Sequence, residues 1–182
     1  INRLMPKRYH LEIDERKFFD HPPYTISDNR ETIDRYGAKI VEAVKLLHKY
    51  NVPCVISTVA GNYSGFEPNR SVFRGDDADK IKFKELMDSG DKAQSGGMFA
   101  EAVAYYLKAL SLCDSFAETH YRLGKCYEML GNYEKAWQEY QKAVNDDGMP
   151  VRATEAQNNF IKAIPEDNLI FTVGAVKCLK EN

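Results

Sequence analysis

Apolar residues recur at helical spacing in the segment DNRETIDRYGAKIVEAVKLLHKYN. The positions that share one face are Ile33, Tyr36, Ile40, Val44 and Leu47. This period predicts an amphipathic helix over about residues 28–50. Asp28 and Glu31 have the spacing of a capping box at its start, and Asn51 with Pro53 is expected to end it.

An apolar run, CVISTVA, follows this helix and shows no polar alternation. Such a run predicts a strand over about residues 52–60 that is buried on both faces of a parallel sheet. A second run, NLIFTVGAV, occupies residues 168–176 and is expected to pair with the first, because a single strand leaves its backbone groups unpaired. The alternating stretch RYHLEID is either an edge strand or a surface segment.

Between the two runs, small residues and aromatics recur at a constant interval of 34 residues. The interval aligns Gly90 with Gly124, Ala102 with Ala136, Tyr106 with Tyr140 and Ala109 with Ala143. Glycine within a helix costs about 1 kcal/mol relative to alanine, so we infer that a second helix approaches closely at each glycine. The pattern predicts two packed helical hairpins.

The segments SGDKAQSGGMFAEAVAYYLKAL and LGKCYEMLGNYEKAWQEYQKAV resemble the tetratricopeptide repeat, a helix-turn-helix unit of this length. The resemblance implies that helices A and B of each unit cross at the small residues. The sequence departs from the family pattern at Ala93, where the second copy has Tyr127, and at Pro150, which comes late for the end of a unit. The segment VRATEAQNNFIKAI predicts one more helix, which we expect to cap the repeats.

These elements together predict a mainly α fold in which two repeat hairpins and a capping helix interrupt a partial α/β unit. We expect a partial α/β segment over residues 1–74 and a helical module over residues 75–164. Residues 165–182 are then expected to return to the sheet as its second strand.

Helix A residues of the repeat family line a concave groove, which the register assigns to particular positions here. They are Lys84, Met87, Asp91 and Gln94 in the first copy and Glu118, Tyr121, Lys125 and Glu128 in the second. A groove with both signs of charge indicates a protein or peptide partner, or a neighbouring part of the same protein. The family variant that clamps a terminal carboxylate with lysines and asparagines does not fit Met87, Asp91 and Tyr121.

A wider resemblance covers most of residues 29–164. The segments RYGAKIVEAVKLLHKYNVPCVISTVAGNYSGFEP and DDGMPVRATEAQNNFIKAI are similar to a bacterial family in which these repeats lie inside an SGNH (GDSL-like) hydrolase fold. That family implies ester hydrolysis by a serine, a histidine and oxyanion donors. No Gly-Asp-Ser, G-x-S-x-G or Asp-x-x-His occurs in this sequence, so no catalytic residue is assigned and the question of enzyme activity stays open.

The loop GNYSG follows the first predicted strand. Ligands of open α/β sheets bind beyond the carboxyl ends of strands, which makes Gly61, Asn62 and Tyr63 a possible substrate loop, with Ser64 beside them. The alternative is a plain turn that uses glycine and asparagine for backbone reasons.

The composition limits the partners and bound groups that the sequence supports. Lys and Arg number 25 against 27 Asp and Glu, for a net charge of -2, which supports neither a nucleic-acid surface nor a polybasic membrane patch. The apolar runs are shorter than the roughly 20 residues that cross a bilayer. The four cysteines and four histidines lack metal-ligand spacing, so we predict no metal and no cofactor.

Two functions remain open at this stage. One is an interaction module that binds a peptide or partner domain in the helix A groove. The other is the middle part of an ester or acyl-group hydrolase whose serine and histidine blocks lie outside this sequence. The compartment is left open.

Overall fold

The computed structural model describes residues 26–175, and this part of the chain is mainly helical, as the sequence predicts. The elements in chain order are α1 Ile26–Lys49, β1 Cys54–Ser57, α2 Lys80–Ser95, α3 Phe99–Leu110, α4 Ala117–Met129, α5 Tyr133–Asn145, α6 Glu155–Lys162 and β2 Ile170–Val173. A short 3-10 turn, Asp77–Asp79, precedes α2. The stretch RYHLEID and Cys178 lie outside the described residues.

The two strands pair in parallel, with Cys54 opposite Ile170 and Ser57 opposite Val173. The pairing expected between the two apolar runs is therefore confirmed, although each strand is only four residues long. The helices α2 to α6 lie between the strands in the chain.

One face of this sheet is exposed, so the prediction of a strand buried on both faces is wrong for the described residues. Val55 is 63% exposed and Phe171 is 47% exposed, whereas Ile170 is fully buried. The physical reason is that α6 packs against β2 and α1 on one side, and no described element covers the other.

Each repeat hairpin turns through a glycine with positive φ. Gly97 has φ 76° and Gly131 has φ 74°, values that an L side chain adopts only with strain. The amide of Met98 donates to the carbonyl of Ala93 across the first turn at 2.9 Å, and the second turn has the equivalent bond. The pattern is that of a helix C-cap with a left-handed residue.

Within each hairpin, an aromatic ring lies directly over the helical glycine. Tyr106 covers Gly90, and a Cβ atom built on Gly124 would lie 2.5 Å from Cε1 of Tyr140. The alanines that share the repeat interval are buried: Ala102, Ala109, Ala136 and Ala143. Small residues therefore permit the close helix crossing that the sequence pattern predicts.

The helix expected to cap the repeats exists as α6, and it packs mainly against α1 and β2. Its Phe160 ring contacts Tyr36, with the ring centroids 6.4 Å apart. The side chain of Asn158 accepts from the amide of Val59 at 2.9 Å and donates to its carbonyl at 3.1 Å. The helix thus fixes the chain where it leaves β1, and it differs in this respect from a cap stacked on the last repeat.

Candidate functional site

The segment of residues 61–75, here called the strap, crosses the repeats after the chain leaves β1. The hydroxyl of Tyr121 donates to the carbonyl of Ser64 at 2.9 Å. The amide of Glu118 donates to the hydroxyl of Ser71 at 2.8 Å. Because Glu118 and Tyr121 both belong to α4, the strap lies along part of the predicted groove.

Aromatic contacts hold the strap at both ends. Near its start, the ring of Tyr63 packs edge-on against Trp137 of α5, with the centroids 4.7 Å apart. Near its end, Phe73 packs against Phe83 of α2 at 5.0 Å, and Phe83 in turn contacts Phe116 at 4.9 Å. Edge-to-face pairs of this kind stabilise a contact beyond the area they bury.

A buried carboxylate holds the middle of the strap. Asp147, in the loop after α5, is only 2% exposed. Its oxygens accept from the amides of Asn69 at 2.9 Å, Arg70 at 3.0 Å and Met149 at 2.9 Å. The amide of Gly148 also donates to the carbonyl of Arg70 at 2.8 Å. Charge-assisted bonds to backbone amides are among the stronger hydrogen bonds in proteins, so Asp147 is the main polar anchor of the strap.

Arg152 holds the first residues of the strap through their carbonyl groups. Its Nη1 atom donates to Phe66 at 2.8 Å and to Asn62 and Tyr63 at 3.3 and 3.4 Å. Sequence reasoning placed Arg152 and Asp147 in a family-like segment without giving either a role. Helical periodicity carries no information about such residues, because they lie in a loop and their contacts are distant in sequence.

The structure divides the predicted groove residues into a buried and an accessible group. Met87 and Tyr121 are buried against the chain itself, and the hydroxyl of Thr119 donates to Sδ of Met87 at 3.1 Å. Glu118 lies under the strap, with its side chain 23% exposed and paired with Arg122. The other five retain exposed or partly exposed side chains: Lys84, Asp91, Gln94, Lys125 and Glu128. This accessible group is called the groove set below.

Two buried tyrosines fix part of the groove set in place. The hydroxyl of Tyr106 contacts Asp91 and Gln94 at 2.6 and 2.7 Å, and that of Tyr140 donates to Glu128 at 2.6 Å. The pKa of both phenols is raised far above the usual range for tyrosine. Burial is the larger cause, and the second is the neighbouring carboxylate, Asp91 for Tyr106 and Glu128 for Tyr140.

Arg122 adds a charge that sequence reasoning did not include in the groove. Its Nε atom donates to Glu118 at 2.6 Å and lies 4.0 Å from Asp91, so it bridges α2 and α4. Burial is the main reason why the pKa of Glu118 is raised, and the Arg122 charge opposes that effect.

We predict that stability falls in alkaline solution because of these two phenols. Their folded pKa values lie above the ordinary value of 10.0, so the unfolded chain releases protons that the folded chain retains as the pH rises past that value. Urea titrations at about pH 8 and about pH 11 should show a smaller free energy of unfolding at the higher pH. Tyr140→Phe should reduce this difference, and Tyr133→Phe, at an exposed position, should leave it unchanged.

The three residues of the possible substrate loop lie beside two cavities. Gly61 and Asn62 line a cavity of about 340 Å³ together with Arg152. Tyr63 is buried against the second repeat instead. The Oδ1 atom of Asn62 accepts from the amide of Gly65 at 2.7 Å, a bond typical of a turn that asparagine stabilises. All three residues, with Ser64, also line a second cavity of about 270 Å³ beside Trp137, so the structure brings the residues of the predicted loop together.

His120 is buried between α4 and α5. Its Nδ1 atom lies 2.6 Å from Glu139, and its Nε2 atom lies 2.7 Å from the carbonyl of Asp114. Both ring nitrogens therefore face acceptors, an arrangement that links the two helices. Within residues 26–175, no three histidine, cysteine or acidic side chains are grouped so that they could hold a metal ion.

Two stacked helical hairpins with glycine at each crossing define a helical-repeat protein. A family model described as tetratricopeptide repeat matches residues 105–138, from within α3 to within α5. The chain therefore contains a tetratricopeptide repeat. A comparison with curated proteins found no matching relative. No helix among the described residues is both long enough and apolar enough to span a bilayer.

Proposed function

We propose that the chain is a protein-interaction module that binds a peptide or a partner domain along the groove set. This proposal rests on the accessibility of these side chains, which lie on α2 and α4, the A helices of the two repeats. The buried residues of the hydrophobic core lie beneath them. Met87 and Tyr121 are left out of the binding surface because they are buried.

The charges of the groove set are arranged so that a partner can engage them. Lys125 lies 3.7 Å from Glu128, and Asp91 lies 4.0 Å from Arg122. Ion pairs between partly exposed side chains contribute only about 0–1 kcal/mol, so a partner with its own charges can replace them at little cost. We therefore propose a partner segment that carries both acidic and basic residues.

Reversing one groove charge should weaken binding of such a segment. Peptides identified by binding to the whole chain on a peptide array are the probes, and Lys125→Glu should lower their affinity about tenfold because a favourable contact becomes a repulsion. Lys108→Glu is the matched control, since Lys108 is exposed on α3, helix B of the first repeat. Equal affinities for the wild type and Lys125→Glu would rule out binding along the groove set.

A second candidate function is the middle part of an SGNH-type ester or acyl-group hydrolase. The observation in its favour is that the strands flanking the repeats pair in parallel, as they would if the repeats interrupt a sheet. Asn158 and Arg152 also contact the chain beyond the carboxyl end of β1, the region where such sheets bind ligands.

The flanking reading frame tests this second candidate. The hydrolase function predicts that the reading frame encodes a serine block upstream and a histidine block downstream of this sequence. If both blocks are absent, only the interaction module remains as a candidate. An ester-substrate assay on residues 1–182 should show no hydrolysis, because the sequence contains no Gly-Asp-Ser, G-x-S-x-G or Asp-x-x-His motif. Activity in that assay would contradict the proposal that the catalytic serine and histidine lie outside this sequence.

A further inference from the structure

The cavity of about 270 Å³ between the start of the strap and the second repeat is lined mainly by aromatic side chains. They come from both of its walls: Tyr63 from the strap, and Tyr133, Trp137 and Tyr140 from α5. The ring planes of Tyr63 and Trp137 are inclined at 63°, and Tyr133 is 71% exposed, so its ring is available to a ligand. Several inclined rings around one cavity form an aromatic cage, an arrangement that binds cations.

The same cavity contains one acidic side chain, Glu128, which is 39% exposed. Its Oε2 atom accepts from the hydroxyl of Tyr140 at 2.6 Å. The first repeat has Gln94 at the equivalent position, where an amide oxygen accepts the same bond from Tyr106 at 2.7 Å. Packing of the repeat therefore does not require the negative charge that Glu128 brings to the cavity.

Lys125 shows that this region attracts a positive charge. Its Nζ atom lies 5.8 Å from the ring centroid of Tyr121 and 6.0 Å from that of Tyr140, and it is 3.7 Å from Glu128. A cation at about this distance is attracted by the face of an aromatic ring. Lys125 does not itself line the cavity, so the space between the rings is left for a ligand.

Most hydrogen-bond acceptors around the cavity already have a donor. The carbonyl groups of Asn62 and Tyr63 accept from Arg152, and that of Ser64 accepts from Tyr121. The side chain of Asn62 accepts from an amide of its own turn. A primary ammonium brings three N–H donors that need acceptors once they leave water, whereas a quaternary ammonium brings none. The lining therefore favours a cation without N–H donors.

We infer that this cavity binds a trimethylammonium group. Its methyl groups contact the aromatic rings, and Glu128 balances its positive charge. Two sources share this chemistry, a free choline-type molecule and the side chain of a trimethylated lysine. The inference does not require that a peptide binds along the groove set.

The experiment titrates the whole chain with choline and, separately, with trimethyllysine. Trp137 is the single tryptophan of the sequence and lines the cavity, so its fluorescence reports binding directly. We expect saturable binding, and the ligand that binds more tightly identifies the source of the group. The uncharged analogue of choline, in which carbon replaces nitrogen, should bind about tenfold more weakly because it has the same shape without the charge.

Two variants test the residues of the cavity. Tyr133→Ala removes an exposed ring, and Glu128→Gln removes the charge while it keeps an acceptor for Tyr140. Each should weaken binding about fivefold. Tyr50→Ala is the matched control, because Tyr50 is 65% exposed and does not line the cavity.

Lys125→Glu separates this cavity from the groove set, because the two sites predict opposite results. Peptide binding along the groove set should weaken, whereas trimethylammonium binding should tighten about fivefold, since a competing positive charge beside Glu128 becomes negative. The inference is overturned if neither ligand binds saturably, or if the uncharged analogue binds as tightly as choline. Equal binding to the wild type and Tyr133→Ala, or no tightening in Lys125→Glu, would also overturn it.

Discussion

Asp147→Asn is expected to lower the free energy of unfolding by about 3 kcal/mol, the largest effect we predict for a change of so few atoms. The carboxylate accepts three backbone amides while it is almost fully buried. An amide of the same shape removes the charge and turns an NH₂ group toward at least one of those donors. Urea unfolding of both proteins measures the difference.

Hydrogen exchange should show where the change acts. The amides of Asn69 and Arg70 are expected to exchange faster in Asp147→Asn, because their acceptor is impaired, whereas amides within α2 and α3 should be much less affected. Asp88→Asn, an exposed position on α2, is the control and should leave stability unchanged within about 0.5 kcal/mol. Equal stability of the wild type and Asp147→Asn would mean that the strap does not depend on this carboxylate.

The helical repeats could be predicted from the sequence because their signal is local and occurs twice. The interval that relates Gly90 to Gly124 also relates Tyr106 to Tyr140, and the structure places each ring over its glycine. A packing rule that recurs at fixed spacing is visible without coordinates. The parallel pairing of the two strands was also predictable, since each is a short apolar run with β-branched residues.

The strap could not be predicted, because its contacts join residues far apart in sequence without any period. Asp147 and Asn69 are separated by 78 positions, and neither residue type is unusual in a loop. The strap also explains why Tyr121 is buried: its hydroxyl binds the carbonyl of Ser64, so a position that the register assigns to a binding groove serves the fold instead. Exposure of the sheet face at Val55 was missed for a similar reason, since an apolar run does not show how many neighbours its strand has.

Gly124→Ala is the second substitution for which we expect a large effect, and its direction opposes intrinsic helix propensity. Alanine in place of glycine favours an isolated helix by about 1 kcal/mol. Here the new Cβ atom would lie 2.5 Å from the ring of Tyr140, and that ring is held by the bond from its hydroxyl to Glu128. Overpacking of this kind costs about 1–3 kcal/mol or more, so we expect net destabilisation of about 2 kcal/mol.

Thermal unfolding of Gly124→Ala should therefore show a Tm lower by about 4–8 °C. Gly96→Ala is the matched control, because its Cβ atom would meet only Met98 at 3.3 Å and backbone oxygens beyond that distance. Gly90→Ala should behave like Gly124→Ala, since Tyr106 covers Gly90 in the same way. In a double-mutant cycle, Tyr140→Leu should make the added methyl group less costly, because the smaller side chain removes the ring that the methyl group meets. A Tm for Gly124→Ala equal to or above that of the wild type would show that helices α4 and α5 do not cross as closely as the structure places them.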